Sequence, residues 1–380
     1  MSGDTGRFRA EVRRFLAEPR VRDAVVEIAR YPAGREPALL DIYRWLGERG
    51  WLAADWPTRY GGADLGPTEA AVVTEEMGLA GVPDDLHVLS IDLVGAFVLR
   101  HGSDAQRAAH LPALARGERM ATVLFTEPEA GSDLAALRTR AEPDGDGWRL
   151  TGSKIYNQKS QFAEVALCAA RTTESPVPFH GITLFLLPLR SAGVHIETVP
   201  GIGNDQFTLV VIDGVRLTAD DVVGRPDDGW QLINELLLRE RTGIDFHAKT
   251  RRQFELLVRQ AAATGALDDP AYADRLADLD ARLRAGHALA WEMVADLARG
   301  EPDPVRSAMA KWFVTEQVRD VMAAAGDGLG LDLALSAWDG EAPQEGLLEA
   351  AYRASPTQRL ASGTSEIMLY LIATSGLELQ

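Results

Sequence analysis

The apolar period changes twice along this chain, and each change narrows the folds open to it. Up to about residue 120, apolar residues recur at helical spacing, as in Phe8, Val12, Phe15 and Leu16 and again in Leu39, Leu40, Ile42 and Leu46. The pattern then gives way to short β-favouring runs: Trp148 to Ile155, Glu164 to Arg171, Ile182 to Leu189, Val194 to Val199 and Phe207 to Leu217. Turn residues such as Asp144-Gly145-Asp146-Gly147 separate them. From about residue 230, long helical patterns rich in Ala, Leu and Arg return. The sequence therefore predicts an α+β fold in three parts: a helical domain over 1–120, a β-barrel or sandwich over 121–229, and a helical bundle over 230–380. Arg225-Pro226-Asp227-Asp228-Gly229 is a natural exit from the middle part.

Charge removes several functions. With a formal net charge of −17, the chain lacks the basic balance that displaces counterions from nucleic acid or seeks anionic membranes. The single cysteine, Cys168, sits in the apolar run Val165 to Ala170 and reads as a core residue; one cysteine allows no internal disulfide. The seven histidines show no metal-ligand spacing, so no metal is expected. No signal-peptide pattern and no bilayer-spanning apolar stretch is present, which points to a cytoplasmic protein.

One loop carries chemistry. In Phe125 to Asp133, Thr126 and Ser132 supply hydroxyls, Gly131 a permissive backbone and Pro128 a turn. Such a loop can present amides and hydroxyls to an anion or a polar ring edge, and it can equally be a structural turn. Its sequence, Thr126-Glu127-Pro128-Glu129-Ala130-Gly131-Ser132-Asp133, resembles the flavin-binding loop of the acyl-CoA dehydrogenases. The likeness extends through Leu150-Thr151-Gly152-Ser153-Lys154-Ile155-Tyr156, Glu48 to Pro57, Asp213 to Arg216, Ala308 to Trp312 and Gly363-Thr364-Ser365-Glu366-Ile367, nearly the whole chain.

That resemblance implies an N-terminal helical domain, a central β domain and a C-terminal four-helix bundle. It also implies FAD as cofactor, a homodimer or homotetramer, an acyl thioester substrate on CoA or an acyl carrier protein, and an electron-transferring flavoprotein as acceptor. Phe125, Thr126, Gly131 and Ser132 would belong to the flavin loop, with Thr126 at the ring edge and Ser132 near phosphates or thioester. Thr364 and Glu366 would meet the adenine-side half of FAD. A glycine turn at Gly326-Asp327-Gly328-Leu329-Gly330 would join two helices of the bundle.

Departures from the family pattern matter as much. Where the family has Trp-x-Thr or Trp-x-Ser beside the flavin, this chain has Tyr156-Asn157-Gln158. Tyr156 keeps an aromatic face, and the Gln158 amide either replaces the hydroxyl or points elsewhere. The usual base, the Glu of a Glu-Gly-Thr step, is Ser362 here, and a serine without a proton-accepting partner is a poor base. Glu240, followed by Arg241, matches an alternative base position on the first helix after the β domain; an ion pair is its bland role. His247 lies farther along, able to face the same cavity or to be an ordinary helix histidine. Three functions follow: dehydrogenation of an acyl thioester, a flavin monooxygenase of the same fold, or a partner subunit of a hetero-oligomeric dehydrogenase.

Overall fold

A computed structural model describes residues 3–30, 36–203 and 206–379. Helices come first: α1 (Gly3–Leu16), α2 (Pro19–Arg30), α3 (Glu36–Gly47), α4 (Pro67–Ala80), α5 (Asp85–His87), α6 (Ala96–His101) and α7 (Asp104–Ala115). A wider, π-type stretch over Val88–Gly95 joins α5 to α6. The strands are β1 (Ala121–Leu124), β2 (Arg140–Asp144), β3 (Gly147–Gln158), β4 (Val165–Arg171), β5 (Ile182–Pro188), β6 (Val194–Pro200), β7 (Gln206–Thr218) and β8 (Val222–Val223). Helices return as α8 (Gly229–Glu240), α9 (Ile244–Thr264), α10 (Pro270–Arg299), α11 (Pro304–Leu329), α12 (Leu347–Leu360) and α13 (Ser365–Leu371). Among the described residues, no helix is long and apolar enough to cross a membrane.

All five expected β runs are strands of one eight-stranded sheet, ordered β6-β7-β3-β2-β4-β5-β8, with β1 added in parallel on β4. The strands β1, β2 and β8 were not legible as β runs. β2 reads Arg-Ala-Glu-Pro-Asp, a poor strand former that is recruited by its hairpin with β3. The sheet curls back on itself, because Leu150 of β3 and Val210 and Ile212 of β7 share one apolar core with Phe185 and Leu187 of β5. Strands β4 and β5 are buried on both faces: Cys168 and Phe185 face that core, while Leu167 and Leu184 join the core of the N-terminal helices. Burial pushes the Cys168 thiol up to about 11, as suits an inert core residue.

Helix α4 joins the two helical parts. Residues Ala71 to Gly78 are all buried, so its charges must be paired: Glu75 takes Arg9, and Glu76 takes Arg9 and Arg13 of α1. Its other side lies hard against α9. A Cβ on Gly78 would come 2.7 Å from that of Ala248, so only glycine permits this approach.

One expectation fails here. Gly326-Asp327-Gly328-Leu329 is not a turn but the end of α11, which stops at Gly330. The reason is a tertiary contact: the Tyr272 hydroxyl donates to the Ala324 carbonyl at 2.9 Å, and a Cβ on Gly328 would lie 2.1 Å from that hydroxyl. The glycine serves helix packing rather than a reversal of the chain.

Candidate functional site

The loop after β1 is fastened from beneath. Lys154, fully buried on β3, donates to the Phe125 carbonyl at 3.1 Å and to Glu127 Oε1 at 2.8 Å. Glu127 also accepts from the backbone amides of Arg138 (2.6 Å) and Thr139 (2.9 Å) and pairs its own backbone with Ala130. Burial alone would raise the Glu127 carboxyl, but Lys154 and these donors outweigh it and hold it below the usual range. The Ile155 amide donates to the Thr126 carbonyl at 3.0 Å, which sets Thr126 beside the residue before Tyr156, while the Gln158 carbonyl accepts from the Thr122 hydroxyl at 3.0 Å farther along β1.

What the loop presents is open. A Cβ on Gly131 would meet nothing within 4 Å, Ser132 is exposed, and Thr126 is half-buried. Tyr156 leaves 60% of its surface exposed on a left-handed backbone (φ 59°), at an irregularity in the β3–β7 ladder. A large aromatic held at a strained position with its ring uncovered is a platform, and such strain collects at ligand sites.

A second fixed element is the turn from Ser362 to Thr364. Ser362 and Gly363 both have left-handed backbones (φ 58° and 96°). The Ser362 carbonyl accepts from Arg241 Nε at 2.8 Å, and the Gly363 carbonyl accepts from buried Lys311 at 2.6 Å. Thr364 caps α13, its hydroxyl oxygen accepting from the Ile367 amide at 3.3 Å, and Glu366 stands exposed in the first turn. The backbone of Glu240 ends α8 next to Arg241, while its side chain lies outside the described residues.

A cavity of about 350 Å³ is lined by both Ser362 of the turn and Gln158 at the end of β3. Helix α12 contributes Ala350, Ala351 and Ala354, and α9 contributes Asp245, Phe246, Lys249, Arg252 and Gln253, spaced as one helix face. Phe125, Thr126, Gly131, Ser132, Tyr156, Thr364 and Glu366 do not line it. Neither does His247, which the sequence left free to face this cavity: it projects from the other side of α9 into a separate cavity of about 940 Å³.

The cavity walls carry charges that sequence reading missed. Lys249 Nζ lies 2.6 Å from fully buried Asp84 and 4.0 Å from Asp245. Burial would depress the ammonium, but Asp84, Asp245 and Asp85 outweigh it and hold it well above its ordinary value. Arg252 lies against the backbone of Gly81 and, among the described residues, has no ion pair or hydrogen bond; burial, then Arg259, pushes it down. A spacing of i, i+4 and i+7 from Asp245 was the available signal, and it reads as a solvated helix face until α4 and α12 cover it.

Three family models match in chain order: the N-terminal domain of acyl-CoA dehydrogenase over 3–118, its middle domain over 122–215 and its C-terminal domain over 227–377. The acyl-CoA dehydrogenase IpdE1 of Mycobacterium tuberculosis is 31% identical over 289 residues, covering 74% of this chain and 75% of that protein. FadE34 of the same organism is 33% identical over 322 residues; the match takes in 82% of this chain but only 43% of FadE34, so the chain spans less than half of that relative. Among solved structures, the ChsE4–ChsE5 complex from Mycobacterium tuberculosis matches with a TM-score of 0.89 at 25% identity, over 100% of this chain and 98% of the other.

Proposed function

This chain belongs to the acyl-CoA dehydrogenase family, FAD-dependent oxidoreductases, and from that premise we propose that it removes hydrogen from the α and β carbons of an acyl thioester whose acyl part carries a polar or acidic group. The observation that carries the substrate reading is the charged wall of the cavity that Ser362 and Gln158 line. A plain alkyl chain there would strip water from Arg252 and return nothing, whereas a carboxylate or amide acceptor would pair with it.

The residues present fit FAD. The open space over Gly131, the exposed Ser132 and the uncovered Tyr156 ring leave room for a planar, phosphate-bearing group, and Phe125, Thr126 and Gln158 would hold its ring. Thr364 and Glu366 would hold its far half. Bound FAD supplies the acceptor for the β-hydride. The chain's own task is to orient the thioester and take the α-proton. Ser362 has no role as base. Glu240 takes that role in this reading, because the Arg241 contact with the Ser362 carbonyl keeps the end of α8 beside the turn. The electrons then pass to an electron-transferring flavoprotein, and copies of this chain complete a homodimer or homotetramer.

Anaerobic bleaching of the flavin tests the reaction. Thioesters ending in a carboxylate should bleach it faster than alkyl thioesters of equal length, and Glu240→Gln should slow bleaching by about 10²–10⁴-fold. Full-rate bleaching in Glu240→Gln removes the base assignment, and equal rates for both thioester classes remove the polar substrate. Bound flavin that no thioester bleaches turns attention to the monooxygenase.

A second reading has its own support. Ser362 stands where many relatives carry the base, and the ChsE4–ChsE5 structure is a complex of two named proteins. In this reading the chain is one subunit of a hetero-oligomer. A homogeneous oligomer of this chain alone with one FAD per chain would exclude it.

A further inference from the structure

On the far side of the α4–α9 pair, three potential ligand side chains converge from three helices. Glu75 comes from α4, His247 from α9 and His287 from α10, and one ligand atom from each lies within 4.8 Å of the others. The two imidazoles face each other at 4.9 Å between centroids and 34° between planes. Glu75 and His247 are 2% and 5% exposed, and all three residues line the cavity of about 940 Å³.

We propose that this cluster binds a borderline divalent cation of the Zn²⁺, Co²⁺ or Ni²⁺ class. Two nitrogens and one carboxylate oxygen suit such ions, whereas Mg²⁺ and Ca²⁺ prefer oxygen donors throughout. A second observation points the same way. Nδ1 of His247 is buried with no hydrogen-bond partner, and a buried polar atom left unmatched calls for something that completes it.

The carboxylate is already oriented as metal ligands usually are. Arg9 holds Glu75 Oε2, and the Trp291 indole donates to Oε1 at 3.3 Å. His287 Nε2 lies 2.6 Å from the same Oε1, a contact that the ion replaces by standing between them. Arg9 and Arg13 bring positive charge close, but both are matched by Glu75 and Glu76. Three protein ligands leave at least one coordination position toward the cavity, for water or a small donor.

The ion would tie α4 to α9 and α10. Gly78 of α4, Gly81 just past its end, and Asp245 and Lys249 of α9 line the charged cavity on the opposite side of the same helix pair. The site therefore braces that wall without touching the reaction. Sequence could not reveal it, since the ligands stand at 75, 247 and 287 and share no local spacing.

Zn²⁺ titration of tag-free, chelator-treated holoenzyme, followed by calorimetry in a non-coordinating buffer, tests this. One saturable Zn²⁺ per chain is expected, with a rise in Tm. His287→Ala and His247→Phe should each weaken binding by about 100-fold or more, while His195→Ala, on the exposed face of β6, should leave it unchanged. Flavin absorbance reports that the variants are folded. Failure of the wild type to bind one Zn²⁺ per chain overturns the proposal whatever the variants do, as does binding that survives both cluster substitutions. Neither result bears on the acyl thioester reading, which is scored by flavin bleaching.

Discussion

The loop after β1 and the Ser362 turn are both held by cationic side chains, yet they are built in opposite ways. Lys154 fastens the loop through a carboxylate, Glu127, which in turn gathers two backbone amides. Arg241 and Lys311 fasten the turn directly through main-chain carbonyls, with no carboxylate between. The first clamp is an ion pair 27 residues apart, reaching from the loop to β3. The second spans 121 and 52 residues. A charge pair concentrates the cost of failure in one place, whereas carbonyl contacts spread it.

The largest expected effect follows from that concentration. Lys154→Met leaves Glu127 buried without its counter-ion, and breaking such a pair from one side costs about 3–5 kcal/mol. Urea unfolding should register that loss, and the purified variant should carry substoichiometric flavin. If Lys154→Met keeps both stability and flavin, the loop is held by its backbone contacts with Ala130 and Ile155 instead, and the contrast with the turn disappears.

Lys311→Met is the matching test on the other side and should do less. It leaves the Gly363 carbonyl without its donor, a loss of about 1–3 kcal/mol for a buried acceptor. Flavin should stay bound, because the loop is untouched, while thioester bleaching slows as Ser362 and Thr364 lose their fixed positions. A Lys311→Met protein that sheds flavin as readily as Lys154→Met would mean that the turn, not the loop, is the main hold on the cofactor.

The same contrast explains what the sequence made legible. The β runs were readable because β4 and β5 are continuous apolar stretches, β7 carries the run Leu209-Val210-Val211-Ile212, and Leu150 of β3 stands between Arg149 and Thr151. The clamp of the loop was readable because Glu127 and Lys154 both lie in runs that carry the family resemblance, Thr126 to Asp133 and Leu150 to Tyr156. Three kinds of feature were not. Strand β2 owes its conformation to β3 rather than to its own Arg140, Glu142 and Pro143. Gly328 looked like a turn residue because its packing partner, Tyr272, is 56 positions away in sequence. The charges of the cavity, Asp84, Asp245, Lys249 and Arg252, look like an ordinary polar helix surface until tertiary packing closes over them. In each case a distant contact decided the role of a local residue.

Acid should separate the two clamps with the smallest perturbation, since it changes protons and no side chain. The Glu127 carboxyl is held below the usual glutamate range of about 4.5, so its folded form resists protonation. The stability it contributes is therefore fully present above the unfolded value, and it drains away as pH falls through the lower folded value. The unfolded chain binds the extra proton first, which fixes the sign: acid weakens the loop. At the turn the clamp acceptors are carbonyls, which do not titrate in this range, and the one carboxylate held low there is exposed Glu366, through its own backbone amide and the Thr364 hydroxyl. Flavin release, followed by fluorescence from pH 7 downward, should begin below about pH 5 and run ahead of global unfolding. The pH slope of stability should also be shallower in Glu127→Gln, whose amide cannot titrate, although that variant starts weaker because it leaves Lys154 without an anion. An equal slope in wild type and Glu127→Gln would show that other carboxylates govern acid release, and that the difference between the two clamps is one of geometry rather than of charge.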